Sequence, residues 1–201
     1  MQAVETETLI LYHTDLRGEW PEEGARALAA RLPYAKRLAV ASAAPRARES
    51  LAGIALALRA LAAVMRRDVQ ARELVFALDR KPYLTGAARE GAAGDADFSI
   101  AHSAPFVGCA ALARGRVGLD IEMGAGARLA RLVAREAALK AAGLTLAAFP
   151  EVELEEGGAR CRGVRWHARE LAEFPGARAC LMTSSPLAHV EARAVALADL
   201  F

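Results

Sequence analysis

The chain has 201 residues, of which 54% are hydrophobic and 25% charged, and its formal net charge is +2. This length and apolar content allow a buried core in one large domain or two small ones, and they exclude an intrinsically disordered chain. The slight positive charge gives no reason to expect binding to nucleic acid independently of sequence. We therefore expect a folded protein that does not bind nucleic acid.

Cysteines and apolar segments bear on the cellular compartment. Cys109, Cys161 and Cys180 are odd in number and widely spaced, so neither a disulfide framework nor a zinc site is expected. The N-terminal residues are acidic where a signal peptide needs basic ones. The longest apolar run, Leu51–Met65, is interrupted by Arg59 and is shorter than the ~18–20 residues of a membrane span. We expect buried thiols in a cytoplasmic protein that has no membrane segment.

The first part of the chain is predicted to be mainly helical. A strand at Thr8–His13 is followed by a helix at Pro21–Leu32 and by a long Ala- and Leu-rich helix at Arg46–Arg67. Arg48 and Ser50 lie at the start of the long helix. Solvation of a helix end is one adequate explanation for the arginine, and ligand binding is the other.

A Lys-Pro pair and an antiparallel meander follow. Pro82 disfavours the helical conformation for Lys81, which places this lysine in an extended segment. The next three segments are predicted to be strands joined by tight turns: Phe98–His102, Phe106–Ala113 and Arg116–Glu122. His102 ends the first of them, where a histidine is usually a satisfied polar group.

The third of these strands carries two acidic residues on one face. In VGLDIE, residues 117–122, apolar residues alternate with the others, so Asp120 and Glu122 project from the same face of a strand. Two carboxylates placed in this way can share one hard cation. A D-x-E pair is also common on the solvated face of an antiparallel strand, so it is a weak signal by itself.

The helix predicted at Arg128–Ala142 and ended by Gly143 has two charges within its apolar stripe. The stripe consists of Leu129, Leu132, Val133 and Leu139. On an exposed face, Glu136 and Lys140 would form an i,i+4 pair that contributes about 0.2–0.5 kcal/mol. Because desolvating a charge costs far more, we interpret them as lining a polar cavity that holds a metal ion or a phosphate.

The short connection before this helix brings a third carboxylate to the first two. Only residues 123–127 separate the strand from the helix, so Glu136 is expected to lie near Asp120 and Glu122. Three carboxylates with room for a substrate form the oxygen-rich kind of site that Mg²⁺ prefers.

Beyond Gly143 the chain is predicted to be mostly β. The predicted strands are Val152–Cys161, with a turn at its centre, Arg165–Leu171, Ala177–Thr183 and His189–Leu197. In each part of the chain, helices therefore precede strands.

Three central motifs carry a family resemblance: FSIAHS (residues 98–103), VGLDIE (117–122) and REAALKAAG (135–143). With RARESLAG (46–53) and KPY (81–83), they resemble, in order, the 4'-phosphopantetheinyl transferases of the larger, single-chain, surfactin-synthetase-activating type. The resemblance implies an α+β fold of two similar halves with antiparallel sheets, related by a pseudo-twofold. Residues 1–114 would bind the nucleotide of coenzyme A, and residues 115–201 would carry the metal ligands and the catalytic helix.

The resemblance also implies an activity and a set of site residues. Such enzymes transfer 4'-phosphopantetheine from coenzyme A to a serine of an acyl, peptidyl or aryl carrier protein and release 3',5'-ADP. The implied roles are Mg²⁺ binding by Asp120, Glu122 and Glu136, catalysis by Glu136 and Lys140, and coenzyme A binding by Arg48, Ser50, Lys81 and His102. We expect a monomer that serves fatty-acid, polyketide or nonribosomal peptide synthesis.

Two other functions remain open at this point. A metal-dependent nuclease or phosphohydrolase can also be built from strand carboxylates and a helix lysine, although it leaves FSIAHS and KPY without a role. A degenerate relative that binds a carrier protein without catalysis is favoured by two departures from the family. Ala101 replaces the first serine of an S-H-S motif, and only residues 123–135 separate Glu122 from Glu136.

A basic flank on the predicted helix bears on the carrier protein. Arg128, Arg131 and Arg135 share one flank away from the apolar stripe, which would suit an acidic partner. Plain solvation of a surface helix is the alternative explanation.

Overall fold

The computed structural model describes residues 8–33, 36–37, 44–76, 81–85, 95–187 and 189–201. Within these residues the fold is α+β, as predicted. Two helices, a four-stranded sheet, a five-stranded sheet and a further helix are stacked in that order.

The predicted helices and strands are present with slightly shifted boundaries. The described α-helices are α1 (Glu22–Arg31), α2 (Ala44–Met65) and α3 (Ala127–Ala142). The strands are β1 (Thr8–Asp15), β2 (Leu74–Val75), β3 (Tyr83–Leu84), β4 (Asp97–Ser103), β5 (Phe106–Leu112), β6 (Val117–Met123), β7 (Val152–Glu155), β8 (Gly158–Cys161), β9 (Val164–Glu170), β10 (Ala177–Thr183) and β11 (His189–Ala194). The segment 152–161, predicted to alternate around a central turn, is a hairpin of β7 and β8.

The strands form two main sheets, with the orders β11-β1-β5-β4 and β6-β10-β9-β8-β7. The predicted meander is wrong in its third strand, because β6 pairs with β10 of the second sheet and not with β5. The first sheet is not wholly antiparallel either, since β11 lies parallel to β1. Alternating hydrophobicity specifies which face of a strand is buried, and it does not specify the neighbouring strand.

The chain passes from the first sheet to the second between β5 and β6, near residue 114, where the boundary between the halves was predicted. Its last strand then returns to the first sheet. The chain is therefore not divided cleanly in sequence between the two sheets.

Three apolar clusters hold the layers together. The two N-terminal helices cover one face of the first sheet, around Leu56 and Phe98. The other face of this sheet packs on the second sheet, around Leu119 and Leu181. α3 covers the outer face of the second sheet, around Val133. As predicted, β6 alternates, and its apolar residues enter the core between the sheets while its acidic residues face α3.

α3 ends where the sequence predicts but buries a different stripe. Gly143 adopts a left-handed conformation (φ 69°) and its N–H reaches the last carbonyls of the helix. The buried residues are Val133, Ala137, Ala138, Leu139 and Ala141. Leu132, predicted to be buried, is 38% exposed. A stripe of small residues lets the helix backbone lie close to the sheet, and Glu136 and Lys140 border this stripe.

The thiols and the hydrophobic segments agree with the sequence analysis. Cys109, Cys161 and Cys180 are free and buried. Burial raises the pKa of each thiol, that of Cys180 to about 12. In the part of the chain that the structure describes, no helix is long and apolar enough to cross a membrane.

Candidate functional site

A cavity of about 450 Å³ lies where β4, β6 and α3 meet. It is lined by six residues that the motifs predict to be functional, namely Lys81, His102, Asp120, Glu122, Glu136 and Lys140. The FSIAHS, VGLDIE and REAALKAAG motifs therefore meet in one place, although they come from three different elements.

Asp120 and Lys140 form the central contact of this cavity. The Lys140 Nζ donates a hydrogen bond of 2.6 Å to Asp120 Oδ1. The Asp120 side chain is only 5% exposed, and its Oδ2 is buried without a hydrogen-bond partner. Burial raises the pKa of Asp120, and Lys140 and the backbone N–H of Ile121 oppose this shift. One oxygen of a buried carboxylate is thus left for a ligand.

Two further carboxylates add negative charge beside Asp120. Glu136 is half-buried, and burial and the Asp120 charge raise its pKa while Lys140 opposes the shift. Glu122 Oε2 accepts a hydrogen bond of 3.2 Å from Ser103 Oγ, which anchors it to the end of β4. A half-buried carboxylate with a raised pKa is a suitable general base or acid near neutral pH.

The carboxylates are not gathered into a ready-made metal cage. Within the described residues, no three His, Cys, Asp or Glu side chains lie close enough together to hold one ion. The buried, unpartnered Oδ2 of Asp120 and the acidic surroundings nevertheless fit a hard cation. Mg²⁺ commonly takes one or two protein carboxylates and completes its shell with water and substrate phosphates. The donor set fits a magnesium ion that arrives with its substrate.

His102 is held by an acidic residue that the sequence analysis missed. Its Nδ1 lies 3.2 Å from Glu49 Oε2, and the Glu49 side chain, from the first turns of α2, is 16% exposed. Burial lowers the pKa of His102, while Glu49 opposes this shift. No sequence signal pointed to Glu49, because its partner lies in β4, far along the chain.

The residues predicted at the start of α2 do not converge on the cavity. The Arg48 guanidinium lies 5.3 Å from the centre of the Trp20 ring and 3.8 Å from Glu22 Oε1, so it is directed towards α1. The positive charge of Arg46, and not that of Arg48, helps to lower the pKa of His102. Ser50 is half-buried and does not line the cavity, although it follows Arg46 by one helical turn and shares its face.

Lys81 is engaged in an internal ion pair. Its Nζ donates to Asp97 Oδ2 at 2.5 Å and to the carbonyl of Val117 at 2.8 Å, and its side chain is 7% exposed. Burial lowers the pKa of Lys81, and Asp97 opposes the shift. The lysine predicted to bind coenzyme A therefore joins the segment before β3 to β4 and β6, and it also lines the cavity.

Side chains of β4 also hold the edge of β6. Asp97, Ser99 and Ser103 accept hydrogen bonds from the backbone N–H groups of Val117, Leu119 and Met123, respectively. These acceptors alternate along DFSIAHS, with Ala101 at the one position of the row that has no acceptor. Ala101, which replaces the first serine of the family's S-H-S motif, therefore lies in a row of contacts that positions β6 and its carboxylates.

The arginines of α3 do not form one exposed flank. The Arg135 guanidinium lies 5.2 Å from the centre of the Phe149 ring. Arg131 borders a second cavity of about 360 Å³, between α3 and the outer face of the second sheet. Arg128 is exposed at the start of the helix. Of the predicted basic flank, Arg128 and Arg131 remain accessible to a partner.

The ion pair of Lys81 gives a first testable prediction. Lys81→Met should lower the free energy of unfolding by about 3–5 kcal/mol, because Asp97 would stay buried without its main cationic partner. Urea unfolding followed by circular dichroism measures the change. Asp97→Asn in the same chain should recover part of the loss, and Lys36→Met, which removes a cation lying over Phe76, should cost less. A Lys81→Met protein of unchanged stability would contradict the structural role.

A scan of the chain against protein-family models finds no match, and a search of curated proteins finds no matching relative. The fold and the cavity define the class: an α+β protein with a polar cleft where two sheets and a helix meet, lined by two lysines, a histidine and three carboxylates.

Proposed function

We propose that the protein transfers 4'-phosphopantetheine from coenzyme A to a serine of an apo carrier protein and releases 3',5'-ADP. The observation that carries the proposal is the 2.6 Å contact between Lys140 and Asp120 in a cavity that also holds Glu122, Glu136 and His102. Chain order and chemistry of these residues resemble those of the single-chain phosphopantetheinyl transferases. We propose the two-halved fold of that family, with its pseudo-twofold, on the same basis.

The reaction requires a base for the carrier serine. The serine oxygen forms a bond to the phosphorus that bears pantetheine, and the bond from that phosphorus to the bridging pyrophosphate oxygen breaks. The electron pair stays on the bridging oxygen of the leaving 3',5'-ADP, and the serine proton passes to Glu136. Burial and the charge of Asp120 raise the pKa of Glu136, which makes it a stronger proton acceptor.

Lys140 is positioned to stabilise the charge that the leaving group gains. An ammonium group has three N–H donors, and Asp120 takes one, so the others can reach a phosphate oxygen. Asp120 thereby fixes the direction of the lysine. Asp120 and Glu122 would hold Mg²⁺, with water and the donor's phosphates completing its shell, and the bound ion would neutralise charge on the pyrophosphate. Glu136, which the resemblance also implies as a metal ligand, is kept in this proposal as the proton acceptor.

The remaining predicted residues receive narrower roles in this proposal. His102, whose Nδ1 is held by Glu49, presents its other ring nitrogen to the nucleotide end of the donor. Lys81 supports the wall of the site through Asp97, and Arg48 stabilises the contact between α1 and α2.

The test is the intact mass of an apo carrier protein after incubation with coenzyme A, Mg²⁺ and the full chain. Transfer predicts a phosphopantetheine adduct on the carrier and release of 3',5'-ADP. A carrier-binding protein without catalysis would give a complex and no adduct. A phosphohydrolase would cleave coenzyme A or nucleic acid without requiring the carrier.

A second prediction concerns docking of the carrier protein. Arg128 and Arg131 are exposed beside Leu132, which is itself 38% exposed, so this part of α3 offers an acidic partner both charge and apolar surface. Replacing both arginines by Glu should raise the KM for the carrier at least about fivefold with little change in kcat. Arg26→Glu, on the exposed face of α1, serves as the control. Unchanged carrier kinetics at low salt would assign these arginines to solvation alone.

A further inference from the structure

The second cavity, between α3 and the outer face of the second sheet, shares no described residue with the candidate site. Its volume of about 360 Å³ is within the range of small-molecule pockets. Because the facing side chains of the helix and the sheet are mostly small, they leave a gap between the two layers. The apolar part of the wall consists of Val133, Ala134, Leu154, Ala168, Ala179 and Met182. This cavity therefore offers an apolar group a place between two layers of the fold.

Two arginines at the edge of the second cavity have no acidic partner. Arg178, near the start of β10, is half-buried, and Arg131 is exposed in the N-terminal half of α3. In the part of the chain that the structure describes, neither guanidinium group forms an ion pair. A partly buried cation is costly unless an anion or hydrogen-bond acceptors accompany it. The edge of this cavity is therefore suited to an anionic group.

The chain path places the two arginines at the same end of the cavity. The backbone N–H of Gly124, just before α3, donates a hydrogen bond of 2.9 Å to the carbonyl of Gly176, just before β10. The start of the helix is thereby held at the start of the strand. Arg131 lies in the second turn of α3, and Arg178 is the second residue of β10. An anion at this end lies within reach of both guanidinium groups.

The acidic residues that line the second cavity do not cancel its positive charge. Glu155 is already accompanied by two arginines, with Arg165 Nε at 3.5 Å and Arg160 Nη2 at 3.7 Å. Glu170 is exposed and limits the positive excess, which favours a group with one negative charge over a phosphate dianion. A carboxylate has this charge and also matches the planar fork of a guanidinium group.

We propose that the second cavity binds a carboxylate with an aliphatic chain of medium length, such as decanoate. The chain lies between α3 and the sheet, and Arg178 and Arg131 hold the carboxylate. This inference does not depend on the transferase function. Its ligand nevertheless lies against elements that also form the candidate site, because Arg178 and Cys180 of β10 pair with Glu122 and Asp120 of β6.

Calorimetric titration of the full chain tests the ligand class. Decanoate should bind with a Kd below about 1 mM. Decylammonium has the same chain with the opposite charge, and it should bind at least about tenfold more weakly. Acetate lacks the chain and should show no measurable binding, because the burial of apolar surface supplies most of the affinity.

Two variants test the location of this ligand, each with a matched control. Arg178→Gln removes the half-buried cation and should weaken decanoate binding at least about fivefold, while Arg169→Gln, at an exposed residue of β9 outside the cavity, should not. Ala134→Leu extends a side chain into the cavity and should weaken binding at least about tenfold. Ala127→Leu makes the same change at the exposed start of α3 and should bind as wild type does.

Any one of three results would overturn the inference. They are no binding of decanoate to wild type below about 1 mM, equal binding of decanoate and decylammonium, and unchanged binding of decanoate to folded Arg178→Gln. The third result would place the carboxylate elsewhere on the protein. Circular dichroism establishes that each variant is folded, and the comparison of decanoate with decylammonium on wild type decides the ligand class even where Arg178→Gln or Ala134→Leu does not fold.

Discussion

Asp120→Asn and Glu136→Gln should each lower kcat for carrier modification by at least about 100-fold while leaving the fold intact. Asp120 orients Lys140 through the 2.6 Å contact and offers its buried second oxygen to a ligand, and the amide removes the charge needed for both. Glu136 is the proposed proton acceptor, and glutamine cannot take the serine proton. Initial rates of adduct formation by mass spectrometry, at saturating coenzyme A and carrier, measure the effect.

The controls for this prediction use the same changes on exposed residues. Asp68→Asn and Glu153→Gln lie away from the cavity and should leave kcat within about twofold of wild type. Circular dichroism and the unfolding midpoint establish that each variant is folded. If folded Asp120→Asn or Glu136→Gln modified the carrier at a rate close to that of wild type, the cavity would not be the catalytic site.

The carboxylates of the site were predictable because their signal is local. Alternation in VGLDIE puts Asp120 and Glu122 on one face of a strand, and the short connection to α3 brings Glu136 to the same region. The charged residues near the apolar stripe of the helix also indicated a polar cavity. These arguments require only the geometry of one strand, one helix and the chain between them.

The partners of His102 and Lys81 were not predictable in the same way. Glu49 meets His102 because α2 packs on β4. Lys81 meets Asp97 because the segment before β3 lies beside β4 and β6. Each contact depends on how distant elements pack, and periodicity does not specify that packing. A lysine in an extended segment before proline is therefore compatible with a ligand contact and with a buried ion pair, until its neighbours are known.

The return of β11 to the first sheet illustrates the same limit at the level of the fold. Its hydrophobic alternation identifies a strand, while its parallel pairing with β1 joins the two ends of the described chain. A division of the sequence at residue 114 follows the order of elements along the chain. It does not reveal that the last strand belongs to the sheet formed by the first part.

The closest approach of α3 to β6 depends on one glycine. A Cβ atom on Gly118 would lie 1.9 Å from the carbonyl oxygen of Ala137 and 2.4 Å from the backbone nitrogen of Ala141. Both atoms belong to the helix backbone, which cannot rotate aside as a side chain can. Gly118 lies on the same face of β6 as Asp120, and Ala137 follows Glu136, so this contact sets the distance between the carboxylates of β6 and the side chains of α3.

Gly118→Ala should consequently damage activity more than stability. Forcing one methyl group between helix and strand is expected to cost about 1–3 kcal/mol of unfolding free energy. A displacement of about 1 Å between Asp120 and the pair of Glu136 and Lys140 should lower kcat about 100-fold. Gly108→Ala, in β5, is the matched control: its Cβ would lie 3.1 Å from the end of the Phe174 ring and 3.2 Å from the terminal methyl groups of Ile121 and Leu119, which can shift, and activity should stay near that of wild type. Urea unfolding and adduct formation measure the two effects in the same samples.

Full activity in a folded Gly118→Ala protein would show that the proposed chemistry tolerates a displaced helix, and the assignment of Glu136 and Lys140 as catalytic residues would then be wrong.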